Sequence, residues 1–257
     1  MQTAPRNMSQ NLPIELQLLL LLVRGHESIE VQAEIRALAE KTIDWGKFVF
    51  MAKEHRLYPV VNSRINQLEP GIIPDSIQAV LQQLAMRNTL KMLQLTAVME
   101  MVCEAFTQRD IRALVLKGPV LAESIYGDYS LRTSKDIDLL VHEDSLEEAE
   151  MLLQEIGFRL DDKVTRILNA VKRKKYHLSY THPQYRIQVE LHWRTSLDTF
   201  SEPSFNELWE RKRATVKTSV PVYYLSQEDL FIYLAAHGAR HGWFRLRWLV
   251  DIEQMMR

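Results

Sequence analysis

The chain has 257 residues, a formal net charge of −1, and apolar and charged fractions of 46% and 25%. Such a length and composition suit one large or two modest globular domains with a sizeable core, and nothing chain-wide marks a nucleic-acid or membrane-surface binder. The single cysteine, Cys103, excludes an intrachain disulfide and any multi-cysteine metal site; beside Met99, Val102 and Phe106 it reads as a buried thiol in a reducing compartment.

In chain order, the first eleven residues are polar, and the pattern from 13 to about 67 is helical, with breaks near 25–28 and 41–44. Asp44 is placed to cap the helix that carries Trp45, Phe48 and Val49, and Tyr58-Pro59 marks another entry. The most apolar stretch, 16–23, is interrupted by Gln17 and is far short of the roughly 20 residues that span a bilayer. With no basic lead-in or cleavage site it predicts no signal peptide, and a cytoplasmic protein with no membrane partner is expected.

After Pro70-Gly71 and Pro74, Ile77, Val80, Leu81 and Leu84 open a long helix that Met92, Leu95, Met99, Val102 and Phe106 continue. A helix of about 30 residues would reach about 45 Å and could join two parts of the molecule. From 111 the texture changes to strand (113–116), a Lys117-Gly118-Pro119 turn, helix (120–126) and strand (136–141). Asp144, with Glu147 three residues on, predicts a capped helix that Gly157 ends. A short helix is expected near 167–171. Strands at 176–181 and 185–193 are joined by His182-Pro183-Gln184, and helices follow from Ser226 and from Phe244. The fold class is α+β, with an N-terminal helical region (1–76), a core around a small mixed sheet (77–225) and C-terminal helices (226–257).

The segment Lys135-Asp136-Ile137-Asp138-Leu139-Leu140-Val141 carries the strongest chemistry. On a strand, Asp136 and Asp138 share one face while Ile137, Leu139 and Val141 share the other. Two carboxylates about 7 Å apart repel unless a cation lies between them, and magnesium or manganese prefers such oxygen ligands. A solvated pair at the start of an edge strand is the plain alternative. In haloacid-dehalogenase-type phosphatases and many glycosyltransferases the apolar run precedes the aspartates, whereas here it follows them.

On the strand at 185–193, Tyr185, Ile187, Val189, Leu191 and Trp193 form one face and Arg186, Gln188, Glu190, His192 and Arg194 the other. Beside the aspartate strand, Glu190 would supply a third carboxylate for a two-metal site. The turn at Lys117-Gly118 permits close backbone approach to phosphate at a helix N-terminus, with Lys117 adding a charge.

Together, Leu116-Lys117-Gly118, the spacing to Arg132, Asp136-Ile137-Asp138, and Val189-Glu190-Leu191-His192-Trp193-Arg194 closely resemble the uncharacterised nucleotidyltransferase family of the DNA polymerase beta-like superfamily. His237-Gly238-Ala239-Arg240-His241 and Arg247-Trp248-Leu249-Val250-Asp251-Ile252 resemble its C-terminal helical segment. The resemblance implies a metal-dependent enzyme that moves a nucleoside monophosphate from a triphosphate to an acceptor, which could be a small molecule, a protein or RNA. Asp136, Asp138 and Glu190 would be catalytic metal ligands for Mg2+, with Mn2+ as the alternative. Gly118 would approach the triphosphate, and Lys117, Arg132, His192 and Arg194 are candidates for nucleotide or acceptor contacts.

Two departures matter. The wider superfamily usually has serine after the glycine, where this chain has Pro119, which offers no N–H. Members of the family often run longer, which leaves open that part of a C-terminal domain is missing. An inactive nucleotide-binding regulator and a glycosyltransferase are the competing readings. The cationic run at 172–175 reads as a solvated face or a polyanion contact, and His237 and His241, one helical turn apart, read as packing or acceptor-pocket residues.

Overall fold

The computed structural model describes residues 12–24, 29–161, 176–195, 202–215 and 217–257. Among them are ten α-helices and one seven-stranded sheet. The helix expected near 167–171 and the cationic run at 172–175 lie outside the described residues.

Four helices open the chain: α1 (Ile14–Val23), α2 (Ile29–Ala39), α3 (Trp45–Glu54) and α4 (Tyr58–Ile65). Asp44 caps α3, its Oδ1 accepting from Lys47 N at 2.9 Å. These helices bury Leu18, Leu22, Phe48 and Val61 in a core that also takes Leu81 and Val250 from later in the chain. The 34-residue α5 (Asp75–Gln108) is about 51 Å long, and its two halves serve different cores. Leu81 packs with the N-terminal helices, whereas Met92, Leu95, Met99, Val102 and Phe106 pack under the sheet. Met92 and Met99 are fully buried. No helix among the described residues is long and apolar enough to cross a membrane.

The sheet comprises β1 (Ala113–Val115), β2 (Asp136–Val141), β3 (Arg159–Leu160), β4 (His177–His182), β5 (Ile187–His192), β6 (Arg213–Thr215) and β7 (Val222–Tyr224). Its order is β3-β4-β5-β2-β1-β7-β6. The central pair, β2 and β5, runs parallel, while β1 runs antiparallel to β2. Alternation then sorts the side chains. Ile137, Leu139 and Val141 join Val189 and Leu191 in the core beneath α5 and α7 (Leu146–Glu155). On the opposite face Leu140 packs with Leu114, Leu121 and Leu230, the last two from α6 (Pro119–Tyr126) and α9 (Gln227–Arg240).

Between these lie α8 (Phe205–Glu210), whose Ser204 and Glu207 form a capping box, and, at the end, α10 (Leu246–Met255). Three local expectations are corrected. Asp144 does not cap α7; Glu143–Ser145 forms a 3-10 turn, Ser145 stands at the helix start, and the His142 ring accepts from Asp144 N at 3.2 Å. The hairpin turn runs over 183–186 instead of ending at Gln184, because Arg186 takes a left-handed conformation (φ 54°) and its N–H closes on His182 O at 2.8 Å. Tyr185 and Arg186 are therefore turn residues, and β5 begins at Ile187.

Candidate active site

The loop before β2 is unusually buried for a polar segment. Asn88 of α5 donates to Ser130 O at 2.8 Å and to Arg132 O at 3.2 Å, and Ser134 Oγ donates to Asp136 O at 3.1 Å. These bonds satisfy the loop's carbonyls and deliver Asp136 at the start of β2. Arg132 itself is 3% exposed, with Nε 3.2 and 3.1 Å from the two Asp251 carboxylate oxygens. Tyr126 OH donates to the same carboxylate at 2.8 Å. Arg132 thus borders the cavity with its guanidinium already paired to α10.

Asp138 and Glu190 are register partners across the β2–β5 pair, on the face away from the α5 core. Asp138 is fully buried. Lys117 Nζ lies 2.9 Å from its Oδ1, and His192 Nε2 lies 3.3 Å from the same oxygen. Burial alone would raise the Asp138 carboxyl, but Lys117 and the His192 hydrogen bond outweigh it and hold it well below the usual carboxylate range. The other oxygen, Oδ2, is buried with no hydrogen-bond partner among the described residues. Asp136, half-buried, is pushed up by burial and then by the Asp138 charge. Glu190 Oε2 is 3.4 Å from His192 Nε2 and 3.9 Å from His177 Nε2. His192 is raised, since bonds to Asp138 and Glu190 overcome its burial, whereas burial and the His192 charge depress His177.

The β1–α6 turn borders this group. Leu116 N donates to Asp138 O at 2.9 Å, and Gly118 sits at φ 103°, where a side chain would be strained; a Cβ there would meet Asp136 O at 3.6 Å. Pro119 occupies the first turn of α6. The cavity above Asp136 measures about 390 Å3 and is lined by six arginine and lysine side chains against two carboxylates, Asp136 and Glu190. Its far wall is aromatic: His241 stacks on Trp248 at 5.3 Å, and His237 meets His241 at 4.6 Å. Burial, with Lys117 and His241 nearby, pushes His237 down to about 3.

The family model described as uncharacterised nucleotidyltransferase matches residues 41–257. The chain belongs to this family. A search of curated proteins by sequence gave no match. Among solved structures, this nucleotidyltransferase is similar to the lincosamide antibiotic adenylyltransferase LnuA in its lincomycin-bound form. The TM-score is 0.41 at 12% identity, covering 60% of this chain and 92% of that one. It is similar to ANT(2")-Ia in complex with adenylyl-2"-tobramycin (TM-score 0.43, 13% identity, 63% and 87% covered). It also resembles an antigenic nucleotidyltransferase-like protein from Paracoccidioides brasiliensis (0.45, 15%, 63% and 75%). At this level the likenesses say nothing about what this chain binds.

Of the residues singled out in the sequence of this family member, the fold gathers Asp136, Asp138, Glu190, Lys117 and His192, with Gly118 at the adjoining turn. Arg194 lies two residues past β5, exposed and outside the residues that line the cavity. Sequence reasoning missed His177, Arg56 and Arg247. His177 is the cross-strand partner of His192, and the alternation of β4 could have placed it on the Glu190 face. Arg56 enters from the α3–α4 connection, with no local pattern to announce it.

Proposed function

We propose that this nucleotidyltransferase moves a nucleoside monophosphate from a nucleoside triphosphate, ATP in the simplest case, to a hydroxyl or amine of its acceptor, releasing pyrophosphate. The single observation that carries the reading is the parallel register of Asp138 with Glu190, which gathers three carboxylates beneath a cavity rich in cations. The residues fit a divalent cation. The donors are carboxylate oxygens, Asp138 Oδ2 is buried without a partner among the described residues, and the Asp136 charge is disfavoured as it stands. Asp136, Asp138 and Glu190 would hold Mg2+ or Mn2+, which when bound polarises the phosphoryl oxygens and neutralises the leaving pyrophosphate.

The remaining work falls to the chain itself. His192 sits between Asp138 and Glu190 and fixes both carboxylates toward the same point. Lys117, balanced against Asp138 at the β1–α6 turn, is the cation nearest the metal-holding acids and contacts the triphosphate. Gly118 keeps the turn free of a side chain, so that backbone can approach phosphate. The N-terminal region before residue 77 and the helices after 225 shape the acceptor side. A cytoplasmic setting fits the one buried thiol.

A second reading, nucleotide binding without turnover, draws on Pro119, which removes one amide from the N-terminus of α6. Mass spectrometry of cell extract treated with enzyme, Mg2+ and labelled triphosphates separates the two. Wild type should give adducts that an Asp136→Ala, Asp138→Ala variant does not. Identical adducts from both proteins would remove the catalytic assignment, and retained nucleotide with no adduct would favour the regulator.

A further inference from the structure

Two arginines reach the base of the cavity at similar depth, and the fold treats them differently. Arg132 has a carboxylate of its own, Asp251, and its guanidinium is held more firmly cationic than usual; burial opposes this, but Asp251 outweighs it. Arg247, 8% exposed at the start of α10, has only neutral partners: Nη1 donates to Thr133 O at 2.6 Å and to Thr133 Oγ1 at 2.8 Å. Its Nε has no partner among the described residues. The nearest carboxylate, Asp251, is already taken by Arg132 and Tyr126. Burial, then the charge of Arg132, pushes Arg247 down to about 9. A buried guanidinium without an anion is costly, and such a cost persists where a ligand offsets it.

Two more cations join it. Arg56 is half-buried and lines the cavity, and its side chain has no hydrogen bond or ion pair among the described residues. Its backbone is left-handed (φ 56°), a conformation a non-glycine residue adopts at some cost. Arg245 is fixed through Nη1 to Glu54 O at 3.0 Å, beside Arg56. Burial lowers Arg56 first, and Arg245 lowers it further, so the two crowd each other.

The cavity's cations come from different elements. Lys117 is paired with Asp138 at 2.9 Å and also faces Asp136, which Arg56 faces more weakly, with Arg245 and Arg247 beside Arg56. In-line transfer sets the attacking oxygen and the departing pyrophosphate on opposite sides of phosphorus. Lys117 belongs to the β1–α6 turn assigned to the triphosphate, whereas the arginine group is built from the α3–α4 connection and the start of α10, the regions assigned to the acceptor.

We propose that Arg56, Arg245 and Arg247 form a second anion subsite that binds a phosphoryl or carboxylate group on the acceptor, so that the acceptor substrates are anionic molecules. The word acceptor rests on the nucleotidyltransferase reading; the subsite itself does not.

The test is calorimetry on the full chain, saturated with Mg2+ and a non-hydrolysable ATP analogue and titrated with inorganic phosphate. Phosphate should bind the loaded protein, and Arg56→Ala should weaken it at least about tenfold, as expected for a lost charge-assisted contact, with the analogue's affinity unchanged. Arg247→Gln should act in the same direction; Arg56→Ala, which removes no hydrogen bond or ion pair among the described residues, keeps the test valid should Arg247→Gln unfold. If Arg56→Ala instead weakens the analogue, and phosphate cannot bind the loaded protein, the arginines serve the triphosphate and the proposal is overturned. Phosphate binding indifferent to Arg56 also overturns it. If the analogue fails to bind at all, the enzyme reading is lost, and phosphate titration of the unloaded chain still decides whether Arg56 belongs to an anion site. As a second arm, the labelled adducts should derive from acceptors that anion exchange retains. Adducts formed only on neutral or cationic acceptors would overturn the proposal.

Discussion

Asp138 and Glu190 stand opposite each other across two parallel strands, and one imidazole reaches both: His192 Nε2 is 3.3 Å from Asp138 Oδ1 and 3.4 Å from Glu190 Oε2. The ring therefore ties the innermost acid to the one nearer the cavity. Since Lys117 holds the same Asp138 oxygen, the pair of aspartates on β2 is asymmetric. Asp138 is compensated by the fold, and Asp136 is not.

That asymmetry predicts opposite stability effects from the same substitution. Asp138→Asn removes the fully buried anion that half-buried Lys117 faces and should destabilise by about 3 kcal/mol. The Asp138 carboxyl is depressed in the fold, so its contribution is present above the ordinary carboxylate value and is lost as pH falls through the folded value. Asp136 is raised, so its charge costs stability at neutral pH, and Asp136→Asn should be neutral or stabilising in metal-free buffer. Both variants should abolish pyrophosphate release. Thermal unfolding at pH 7 with EDTA checks this, and an Asp136→Asn protein as unstable as Asp138→Asn would refute the asymmetry.

The Arg132–Asp251 pair predicts that the C-terminal helix is coupled to the loop that delivers Asp136. Asp251→Ala would strand Arg132, whose side chain is 2% exposed, and would remove the acceptor of Tyr126 OH. A loss of about 3–5 kcal/mol in urea unfolding is expected. Tyr126→Phe, which spares the ion pair, should cost only about 1 kcal/mol. Equal losses from the two would mean the ion pair adds nothing.

Much of this was legible in the sequence, and the limits have physical causes. Strand β2 and the inner face of β5 were readable because one side of each packs on α5, which imposes a strict period of two. The long α5 was readable for the same reason at helical period. The three-residue strands β6 and β7 are too short to show a period, and the capping box of α8 stands in a segment with little apolar pattern. The Asp144 expectation failed because a 3-10 turn shifts the helix start by one residue. Within the site, the carboxylates were legible because they sit two apart on periodic strands. The pairing of Arg132 with Asp251 joins residues 119 positions apart, and Arg56 comes from a connection between helices. Nothing local encodes either.

Cys103 is buried in the core, and burial, helped by the charge of Glu100, pushes its thiol up to about 12. Thiolate is the reactive species, so the folded protein should resist alkylation at pH 8. Labelling with iodoacetamide should then appear only with unfolding, and its midpoint in urea should coincide with the loss of circular dichroism. Rapid labelling of the native protein would show that this part of α5 opens locally.

His237 makes a prediction about acid. Burial, helped by Lys117 and His241, depresses it to about 3, while the unfolded chain titrates near the ordinary histidine value of about 6.5. Between those two values the unfolded state binds the extra proton, so stability falls as pH drops, by at most about 1.4 kcal/mol per pH unit from this group. Above the ordinary value the effect vanishes. His237→Gln should therefore flatten the decline in melting temperature between pH 6.5 and pH 5, leaving the slope above pH 7 unchanged. If the variant and the wild type lose stability in parallel across that window, the acid sensitivity belongs to other groups, with His177, also depressed by burial, the next to examine by the same substitution.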